Sequence, residues 1–252
     1  MMNRIYIRDN NSVPYIEYSD FVADEKSGAV IICPGGGYCN RAKHEGVPVA
    51  EKYEEKGIKA FLLQYRVFPN LFPVPLNDLL CSISLIRNKA EDFNIQSDKI
   101  AVCGFSAGGH LCASSAVYFN SEFADSIYRG EKCRPDATIL SYPVITGDDS
   151  YRHTGSLQKS FGDNFTENDK NIFSLEKHIS SKTPPCFLWH TADDSCVPAR
   201  NSTLFANSLE DYKIPFELHV FPKGRHGLGL ADNTSAEVWH SLSVKWLKNI
   251  GW

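Results

Sequence analysis

The residues with the clearest chemical potential form a Gly-x-Ser-x-Gly turn, in which Ser106 lies between Gly104 and Gly108. An apolar run precedes this turn and a helical pattern follows it, which is the context that the motif requires. Small residues on both sides allow a sharp turn that holds the serine hydroxyl out above the edge of a sheet. The pattern therefore predicts a nucleophilic serine, and a tight turn without any chemistry is the alternative.

A nucleophilic serine needs a general base and a carboxylate that orients this base. Downstream of Ser106, Asp193 and Asp194 follow one apolar run, and His226 lies in a glycine-containing loop after the next one. The order serine, aspartate, histidine is typical of one class of serine hydrolases. We take Asp194 as the acid because the chain turns into a helix soon after it, and Asp193 stays as the alternative. His190 is interpreted as a packing residue beneath the aspartate loop.

Three consecutive glycines, Gly35 to Gly37, follow another apolar run and precede Tyr38. Glycine allows the backbone to adopt a positive φ and to approach a ligand closely. A dinucleotide phosphate is disfavoured as this ligand because the last glycine of that fingerprint is missing. A metal held by Cys33 and Cys39 is disfavoured because structural zinc needs four ligands at recognisable spacing. The interpretation that remains is a carbonyl oxygen that becomes negative during a reaction.

The chain around these residues alternates between strands and helices, which predicts an α/β protein with a mostly parallel central sheet and helices on both faces. The carboxyl ends of parallel strands meet at one edge, where ligands bind. The predicted strands are Ile5–Ile7, Tyr15–Tyr18, Ala29–Cys33, Ala60–Tyr65, Ile100–Cys103, Thr138–Tyr142, Cys186–Trp189 and Phe216–Phe221. The predicted helices before the last one are Glu45–Lys56, Pro75–Phe93, Ala107–Phe119 and Pro198–Tyr212.

The last helix is predicted to follow a capping-box pattern at Thr234–Glu237 and to run through Leu247. Its core-facing residues are predicted to be Val238, Leu242 and Trp246. The segment Gly147–Lys182 is polar and weakly periodic, so we expect a lid-like insertion or an irregular loop there. We expect residues 1–252 to form a single domain without a large cap.

The composition limits the possible classes of protein. The chain has 252 residues, of which 42% are hydrophobic and 22% are charged, and its formal net charge is −4. No basic patch indicates a nucleic acid partner, and no apolar run is long enough to span a membrane. The first residues lack the apolar segment of a signal peptide, so we expect a cytoplasmic protein with eight reduced cysteines. We expect neither a cofactor nor a metal, and the oligomeric state stays open.

Residues in the loops after strands are the candidates for the wall of a small substrate pocket. We select Tyr38, Tyr142 and Val144 as these tentative pocket residues. For any one of them, an ordinary position in the core or at the rim is the alternative. Arg66 is interpreted as half of a structural ion pair with Asp78 or a neighbouring residue, and contact with an acidic substrate group is the alternative.

Five segments together resemble the α/β-hydrolase esterases, and this resemblance extends from Ala29 to the C-terminus. The segments are Pro34–Tyr38, Tyr65–Val67, Gly104–Leu111, Asp194–Pro198 and Phe221–Gly227. Within the superfamily the chain is most similar to the carbohydrate-esterase-like branch, which includes acetyl xylan esterase and feruloyl esterase relatives. Pro34 stands where lipase-like members have a histidine, which favours this branch over the lipase-like one.

The resemblance implies a role for each site residue. Ser106 would be the nucleophile, His226 the base and Asp194 the acid of a catalytic triad. The amides of the oxyanion hole would be those of Gly36, Gly37 and Ala107. The implied activity is a serine esterase that forms an acyl-enzyme from short acyl esters, acetyl esters foremost, with acetylated sugars as candidate substrates. A peptidase of the prolyl-oligopeptidase type and a catalytically silent binding protein are the alternatives.

Overall fold

The computed structural model describes residues 2–7 and 12–252. In these ranges eight strands form one sheet: β1 (Asn3–Tyr6), β2 (Tyr15–Tyr18), β3 (Ser27–Cys33), β4 (Lys59–Gln64), β5 (Ile95–Phe105), β6 (Ala137–Ser141), β7 (Cys186–Thr191) and β8 (Phe216–Phe221). Their order across the sheet is β1-β2-β4-β3-β5-β6-β7-β8. Strand β2 is antiparallel to β1 and to β4, and every other neighbouring pair is parallel.

Helices connect the parallel strands and cover both faces of the sheet. They are α1 (Val47–Glu54), α2 (Val74–Asn88), α3 (Ala107–Tyr118), α4 (Thr154–Phe161), α5 (Glu167–Phe173), α6 (Arg200–Asp211) and α7 (Trp239–Asn249). Short 3₁₀ helices lie at Lys43–Glu45, Glu131–Cys133 and Leu175–Lys177. The predicted fold class, a mostly parallel sheet between helices, is confirmed.

The central strand β3 shows why the sheet needs helices on both faces. Successive side chains of a strand point to opposite faces, and those of residues 29–33 of β3 are apolar and fully buried on both sides. Ala29, Ile31 and Cys33 pack into a cluster with residues of α2, α3 and α6. Val30 and Ile32 pack into a second cluster with residues of α1 and α7. The continuous apolar run of this strand is therefore the signature of a buried parallel strand.

The register of the sheet brings the chemically interesting loops to one edge. Phe105 at the end of β5 pairs with Ser141 at the end of β6, and Ser141 pairs with Trp189 of β7. Thr191, the last residue of β7, pairs with Phe221, the last residue of β8. The loops after β5, β7 and β8 therefore leave the sheet side by side.

The prediction for the last helix is wrong at its start. Helix α7 begins at Trp239, because the Thr234 hydroxyl is used in a preceding turn, where it donates to the Ala231 carbonyl (2.6 Å) and accepts from the Ala236 amide (3.1 Å). Val238 is 46% exposed and does not face the core as predicted, and Leu242 is only partly buried, whereas Trp246 is buried. The residues of α7 that face the core are Trp239, Val244, Trp246 and Leu247.

The segment Gly147–Lys182 is more regular than its composition suggests, because it contains α4, α5 and a 3₁₀ turn. A capping box that the sequence analysis missed starts α5: the Thr166 hydroxyl accepts from the Asp169 amide (3.2 Å), and the Asp169 carboxylate accepts from the Thr166 amide (2.7 Å). The first predicted helix is also shorter than expected. It begins at Val47 and ends at Glu54, since Lys43–Glu45 forms a separate 3₁₀ turn.

Candidate active site

Ser106 lies in a strained turn between β5 and α3. Its φ of 53° and ψ of −117° are unusual for a residue with a side chain, and such strain is typical of a functional site. A Cβ atom on Gly108 would lie 2.0 Å from the Cys33 carbonyl oxygen, and one on Gly104 would lie 2.1 Å from the Gly108 carbonyl oxygen. Both glycines are therefore required for the close approach of α3 to β3 and β5, which fixes the serine at the edge of the sheet.

The structure brings Ser106, His226 and Asp194 together in a hydrogen-bonded row. His226 Nε2 lies 2.7 Å from Ser106 Oγ, and His226 Nδ1 lies 2.6 Å from Asp194 Oδ2. The ionised carboxylate can only accept, so Nδ1 carries the proton and Nε2 is free to accept the serine proton. The carboxylate of Asp194 is fully buried, whereas 18% of the His226 side chain is exposed. This geometry meets the requirement for an activated serine.

The two neighbouring aspartates have different partners. Asp194 Oδ1 accepts hydrogen bonds from the Cys196 amide (2.9 Å) and the Val197 amide (3.0 Å), so its carboxylate is fixed at the start of a turn. Asp193 is exposed and accepts a hydrogen bond from the Gly224 amide (2.7 Å). Asp193 thereby ties the aspartate loop to the histidine loop, while Asp194 is the one that reaches the imidazole.

The environment of Asp194 keeps its carboxylate ionised. Burial by itself raises the pKa of this carboxyl group, but hydrogen bonds from His190, His226 and the Val197 amide outweigh it and hold the pKa well below its usual range. His190 is fully buried beneath the loop, where its Nδ1 lies 2.8 Å from the Ser202 hydroxyl. Its Nε2 lies 3.4 Å from Asp194 Oδ2. The carboxylate is therefore prepared to orient the imidazole and to stabilise its protonated form.

In the glycine loop, residues 35–37, the carbonyl groups of Gly35 and Gly36 accept hydrogen bonds from the residues that follow. The Gly35 carbonyl accepts from the Ala42 amide (2.9 Å), and the Gly36 carbonyl accepts from the Cys39 amide (2.9 Å) and the Asn40 amide (3.2 Å). The backbone has a positive φ at Gly36 (127°) and at Gly37 (62°). Among the described residues, no acceptor is found for the Gly36 and Gly37 amides.

The third amide of interest belongs to Ala107, the first residue of α3. The first amides of a helix have no acceptor within the helix, and the helix dipole favours negative charge beside them. The amides of Gly36 and Gly37, in the glycine loop, and of Ala107, at the start of α3, are thus unpaired near Ser106. The roles of these three amides in an oxyanion hole stay a prediction.

The three tentative pocket residues are all buried. Tyr38 is 4% exposed, and its hydroxyl lies 2.9 Å from His110 Nδ1. Tyr142 is 1% exposed, and its ring packs edge-on against the His226 ring with 5.1 Å between the centroids. Val144 is fully buried in a small cluster with Leu157 of α4 and with other apolar residues. Tyr142 is therefore adjacent to the base, whereas Tyr38 contacts His110 of α3 and Val144 packs in the apolar cluster of α4.

Glu45, a buried carboxylate beside the site, is a residue that the sequence did not predict. This residue is 2% exposed, and its carboxylate accepts hydrogen bonds from the Gly35 amide (2.8 Å) and the Tyr142 hydroxyl (2.7 Å). In the sequence Glu45 is one of several charged residues at the start of a helical pattern, where acidic residues are common. No local signal separates it from a solvent-exposed glutamate.

Arg66 forms the predicted ion pair with Asp78. The Arg66 side chain contacts both oxygens of this fully buried carboxylate, and the Arg66 amide donates to Asp78 Oδ2 (2.9 Å). The pair fixes the loop after β4 onto α2. In the described part of the chain, no group of three or more His, Cys, Asp and Glu side chains is arranged so that it could hold a metal ion. No helix within the described ranges has the length and apolar character to cross a membrane.

The chain matches one protein-family profile and is similar in sequence to several named hydrolases. The BD-FAE profile matches residues 18–209. The chain is 42% identical to endo-1,4-β-xylanase B of Butyrivibrio fibrisolvens over 86% of its own length and 35% of that protein. It is 28% identical to an acetylxylan esterase of Xylanibacter ruminicola over 92% of its own length and 46% of that protein. The chain therefore spans between a third and a half of these two relatives.

Solved structures match over nearly the whole chain. An acetyl ester-xyloside bifunctional hydrolase from Caldicellulosiruptor lactoaceticus is 40% identical, with a TM-score of 0.91 and coverage of 99% of this chain and 96% of that one. A carboxylesterase from Lactobacillus plantarum is 25% identical, with a TM-score of 0.84 and coverage of 100% and 98%. Both similarities include the entire sheet and the loops at its carboxyl edge.

Proposed function

The chain belongs to the BD-FAE family of α/β-hydrolase esterases, and on this basis we propose that it is a serine esterase that removes short acyl groups, acetyl foremost, from carbohydrates. The observation that carries the proposal is the row of hydrogen bonds from Asp194 through His226 to Ser106. Such a row activates a serine hydroxyl for attack on an ester carbonyl.

In the proposed reaction Ser106 Oγ attacks the carbonyl carbon while His226 Nε2 accepts the serine proton. Asp194 keeps the imidazole in the tautomer that can accept, and it stabilises the positive charge that the imidazole gains. His226 then gives the proton to the leaving alcohol, and the acyl group remains on the serine. A water molecule, activated by the same imidazole, hydrolyses this acyl-enzyme and restores the free hydroxyl.

The carbonyl oxygen becomes negative in each tetrahedral intermediate and needs hydrogen-bond donors that are already in position. The unpaired amides of Gly36, Gly37 and Ala107 are the donors that we assign to it. One such donor contributes a factor of about 10² to 10³ in kcat, or about 3–4 kcal/mol of barrier. These amides act without reorganisation because the turn hydrogen bonds of the loop hold its carbonyl groups elsewhere.

The proposed substrate class follows from the relatives and from the surroundings of the triad. The relatives include an acetylxylan esterase and an acetyl ester-xyloside bifunctional hydrolase, whose names refer to acetyl groups and to xylan or a xyloside. The segment Gly147–Lys182 approaches the triad through α4, whose Leu157 lies in one apolar cluster with Val144 and Val197. The polar residues of this segment suit a sugar better than a long acyl chain, so we infer that it borders the alcohol side of the site.

Hydrolysis of p-nitrophenyl acetate by the wild type and by Ser106→Ala tests the chemistry. We expect kcat to fall by at least about 10⁴-fold in the variant, because the nucleophile is lost. Ser115→Ala is a matched control, since Ser115 is a buried serine of α3 whose hydroxyl donates to the Cys112 carbonyl. A Ser106→Ala protein that keeps most of the wild-type rate would refute the assignment of the nucleophile.

A panel of acyl esters tests the substrate class. Acetylated xylo-oligosaccharides and acetyl to decanoyl p-nitrophenyl esters should rank with acetyl esters first, because the segment Gly147–Lys182 that we place beside the site is rich in polar residues. Faster turnover of the long-chain esters than of acetyl esters would contradict the carbohydrate acetyl esterase while leaving the serine hydrolase intact.

A further inference from the structure

A buried glutamate network connects the glycine loop to the histidine loop. Glu45 Oε2 accepts from the Gly35 amide (2.8 Å), and Glu45 Oε1 accepts from the Tyr142 hydroxyl (2.7 Å). The Tyr142 oxygen in turn accepts from the Gly229 amide (2.8 Å), which lies three residues after His226. One carboxylate therefore contacts the loop beside Ser106 directly and the loop of the base through a single tyrosine.

The bond to Gly35 determines which way the following peptides face. With the Gly35 amide directed at Glu45 and the Gly35 and Gly36 carbonyls bonded within the loop, the next free donors are the Gly36 and Gly37 amides. The Gly35 backbone also lies close to the nucleophile, since a Cβ atom there would lie 2.7 Å from the Phe105 carbonyl oxygen and 3.0 Å from Ser106 Cβ. The carboxylate thus holds the loop against the nucleophile.

The bond to Tyr142 fixes the other side of the site. The Tyr142 ring packs edge-on against the His226 ring. A shift of the Tyr142 ring after loss of its hydroxyl contact would therefore change the packing of the His226 imidazole. The Nε2 atom of His44, the neighbour of Glu45, lies 3.1 Å from the Gly227 carbonyl oxygen. This is a second contact between the two loops. The two halves of the site therefore meet at residues 44 and 45.

Electrostatics alone gives no reason for a carboxylate at this position. A buried negative charge is costly, and a negative group behind the amides opposes the negative charge that develops on a carbonyl oxygen. Hydrogen bonds to an ionised acceptor are about twice as strong as neutral ones and have better defined geometry. The benefit of the carboxylate is therefore geometric: it accepts from two donors on two different loops at once.

We propose that Glu45 is a positioning residue, whose carboxylate sets the distance between the oxyanion loop and the base through Gly35 and Tyr142. This inference rests on the proposed esterase function. It predicts that Glu45 contributes to the stabilisation of the transition state, although it touches neither the substrate nor the reacting atoms. Loss of this contribution should appear in kcat and not in KM, since the oxyanion contacts form fully only in the transition state.

The test is Glu45→Gln, which has the same shape but cannot satisfy both loops. If its oxygen accepts from Gly35, its amide group faces the Tyr142 oxygen, and the Tyr142 hydroxyl proton loses the acceptor that Glu45 provides. If the side chain is flipped, its amide group and the Gly35 amide are two donors that face each other. For p-nitrophenyl acetate we expect kcat to fall about 10- to 100-fold, with KM within about threefold of the wild type. Binding of a boronic acid that forms a tetrahedral adduct with serine should weaken by a similar factor.

Asp136→Asn is the matched control for loss of stability. Asp136 also accepts from a backbone amide (Ile100, 2.8 Å), but it precedes β6 at the opposite edge of the sheet and pairs with Arg87. This variant should lower Tm and leave kcat near the wild-type value. Tyr142→Phe should lower kcat in the same direction, and the double variant with Glu45→Gln should lose less than the two single changes multiplied, because both act on one network.

Three results would overturn the proposal. The first is a Glu45→Gln enzyme with a kcat within about threefold of the wild type, and the second is a loss that falls on KM instead. A kcat loss in Asp136→Asn equal to that in Glu45→Gln would show that only stability is measured and would also overturn it. An inactive wild type would refute the esterase function itself, and the two failures are thereby distinguishable.

Discussion

Replacement of Asp194 by asparagine tests the orientation of the base most directly. Asp194 Oδ1 accepts from the Cys196 and Val197 amides, and Oδ2 accepts from His226 Nδ1. Asparagine keeps the shape of the side chain but offers only one acceptor oxygen. Two backbone donors compete for this oxygen with the imidazole donors, His226 at 2.6 Å and His190 at 3.4 Å, so the asparagine can satisfy only one of the two sides.

The backbone amides should keep the oxygen. Turning the side-chain amide group toward them would leave two buried donors without an acceptor, at a cost of about 1–3 kcal/mol each. The side-chain NH₂ group of the asparagine therefore faces His226 Nδ1, and this nitrogen must lose its proton in order to accept. The proton moves to Nε2, which can then no longer accept from Ser106. We expect kcat to fall about 10⁴-fold, equivalent to about 5.4 kcal/mol of barrier.

The assay is the pre-steady-state and steady-state hydrolysis of p-nitrophenyl acetate by Asp194→Asn and by the neighbouring variant Asp193→Asn. Asp193 is exposed, and an asparagine oxygen can still accept from the Gly224 amide, so this control should retain kcat within about threefold. Circular dichroism and Tm would establish that both variants are folded.

Two outcomes would refute this expectation. If Asp193→Asn loses more activity than Asp194→Asn, the acid has been assigned to the wrong aspartate. If Asp194→Asn retains more than about a tenth of the wild-type kcat, the tautomer of His226 is not controlled by this carboxylate.

Three further predictions concern packing, acid stability and thiol reactivity. Gly108→Ala should destabilise the fold by several kcal/mol or prevent folding, since its Cβ would lie 2.0 Å from a carbonyl oxygen. Gly57→Ala is the control, because its Cβ would have no atom within 4 Å and only the φ of 80° is unfavourable. In a denaturant titration this control should lower the free energy of unfolding by only about 1–2 kcal/mol. Folding lowers the pKa of Asp194, so its ionised carboxylate stabilises the protein above the unfolded-state pKa of about 4, and this stabilisation is lost as the pH falls. Between about pH 5 and 3, Tm should therefore decrease less steeply for Asp194→Asn than for the wild type. Equal slopes of Tm against pH would contradict this linkage. A thiol reagent should label only Cys39 and Cys196 in the native protein, because the other six cysteines are buried, and all eight after denaturation. Cys196 should react more slowly than Cys39, because partial burial and the Asp194 carboxylate raise the pKa of its thiol; native labelling of more than two cysteines would be inconsistent with the packing.

The sequence predicted the architecture well because its signals are local and repeated. Buried parallel strands are continuous apolar runs, and β3 is apolar on both faces. Element boundaries were less accurate where a side chain had two possible partners. Thr234 and Thr166 both begin capping-box patterns, but only the Thr166 hydroxyl caps a helix, since Thr234 bonds within a turn. A single sequence does not distinguish these two uses of a hydroxyl.

The linear sequence by itself determined the kinds and the order of the residues for the site: a serine between glycines, then an aspartate, then a histidine, each after a strand. Parallel strands end at one edge, so this order is enough to predict that the three meet. Only the tertiary structure decided which aspartate reaches His226 and which one, Asp193, holds the next loop. Only the tertiary structure identified Glu45, because its two donors come from residues 10 and 97 positions away along the chain. Hydrogen bonds of this kind depend on how the loops pack over the sheet. Neither a periodic pattern nor a local motif in the sequence shows which distant residues this packing brings into contact.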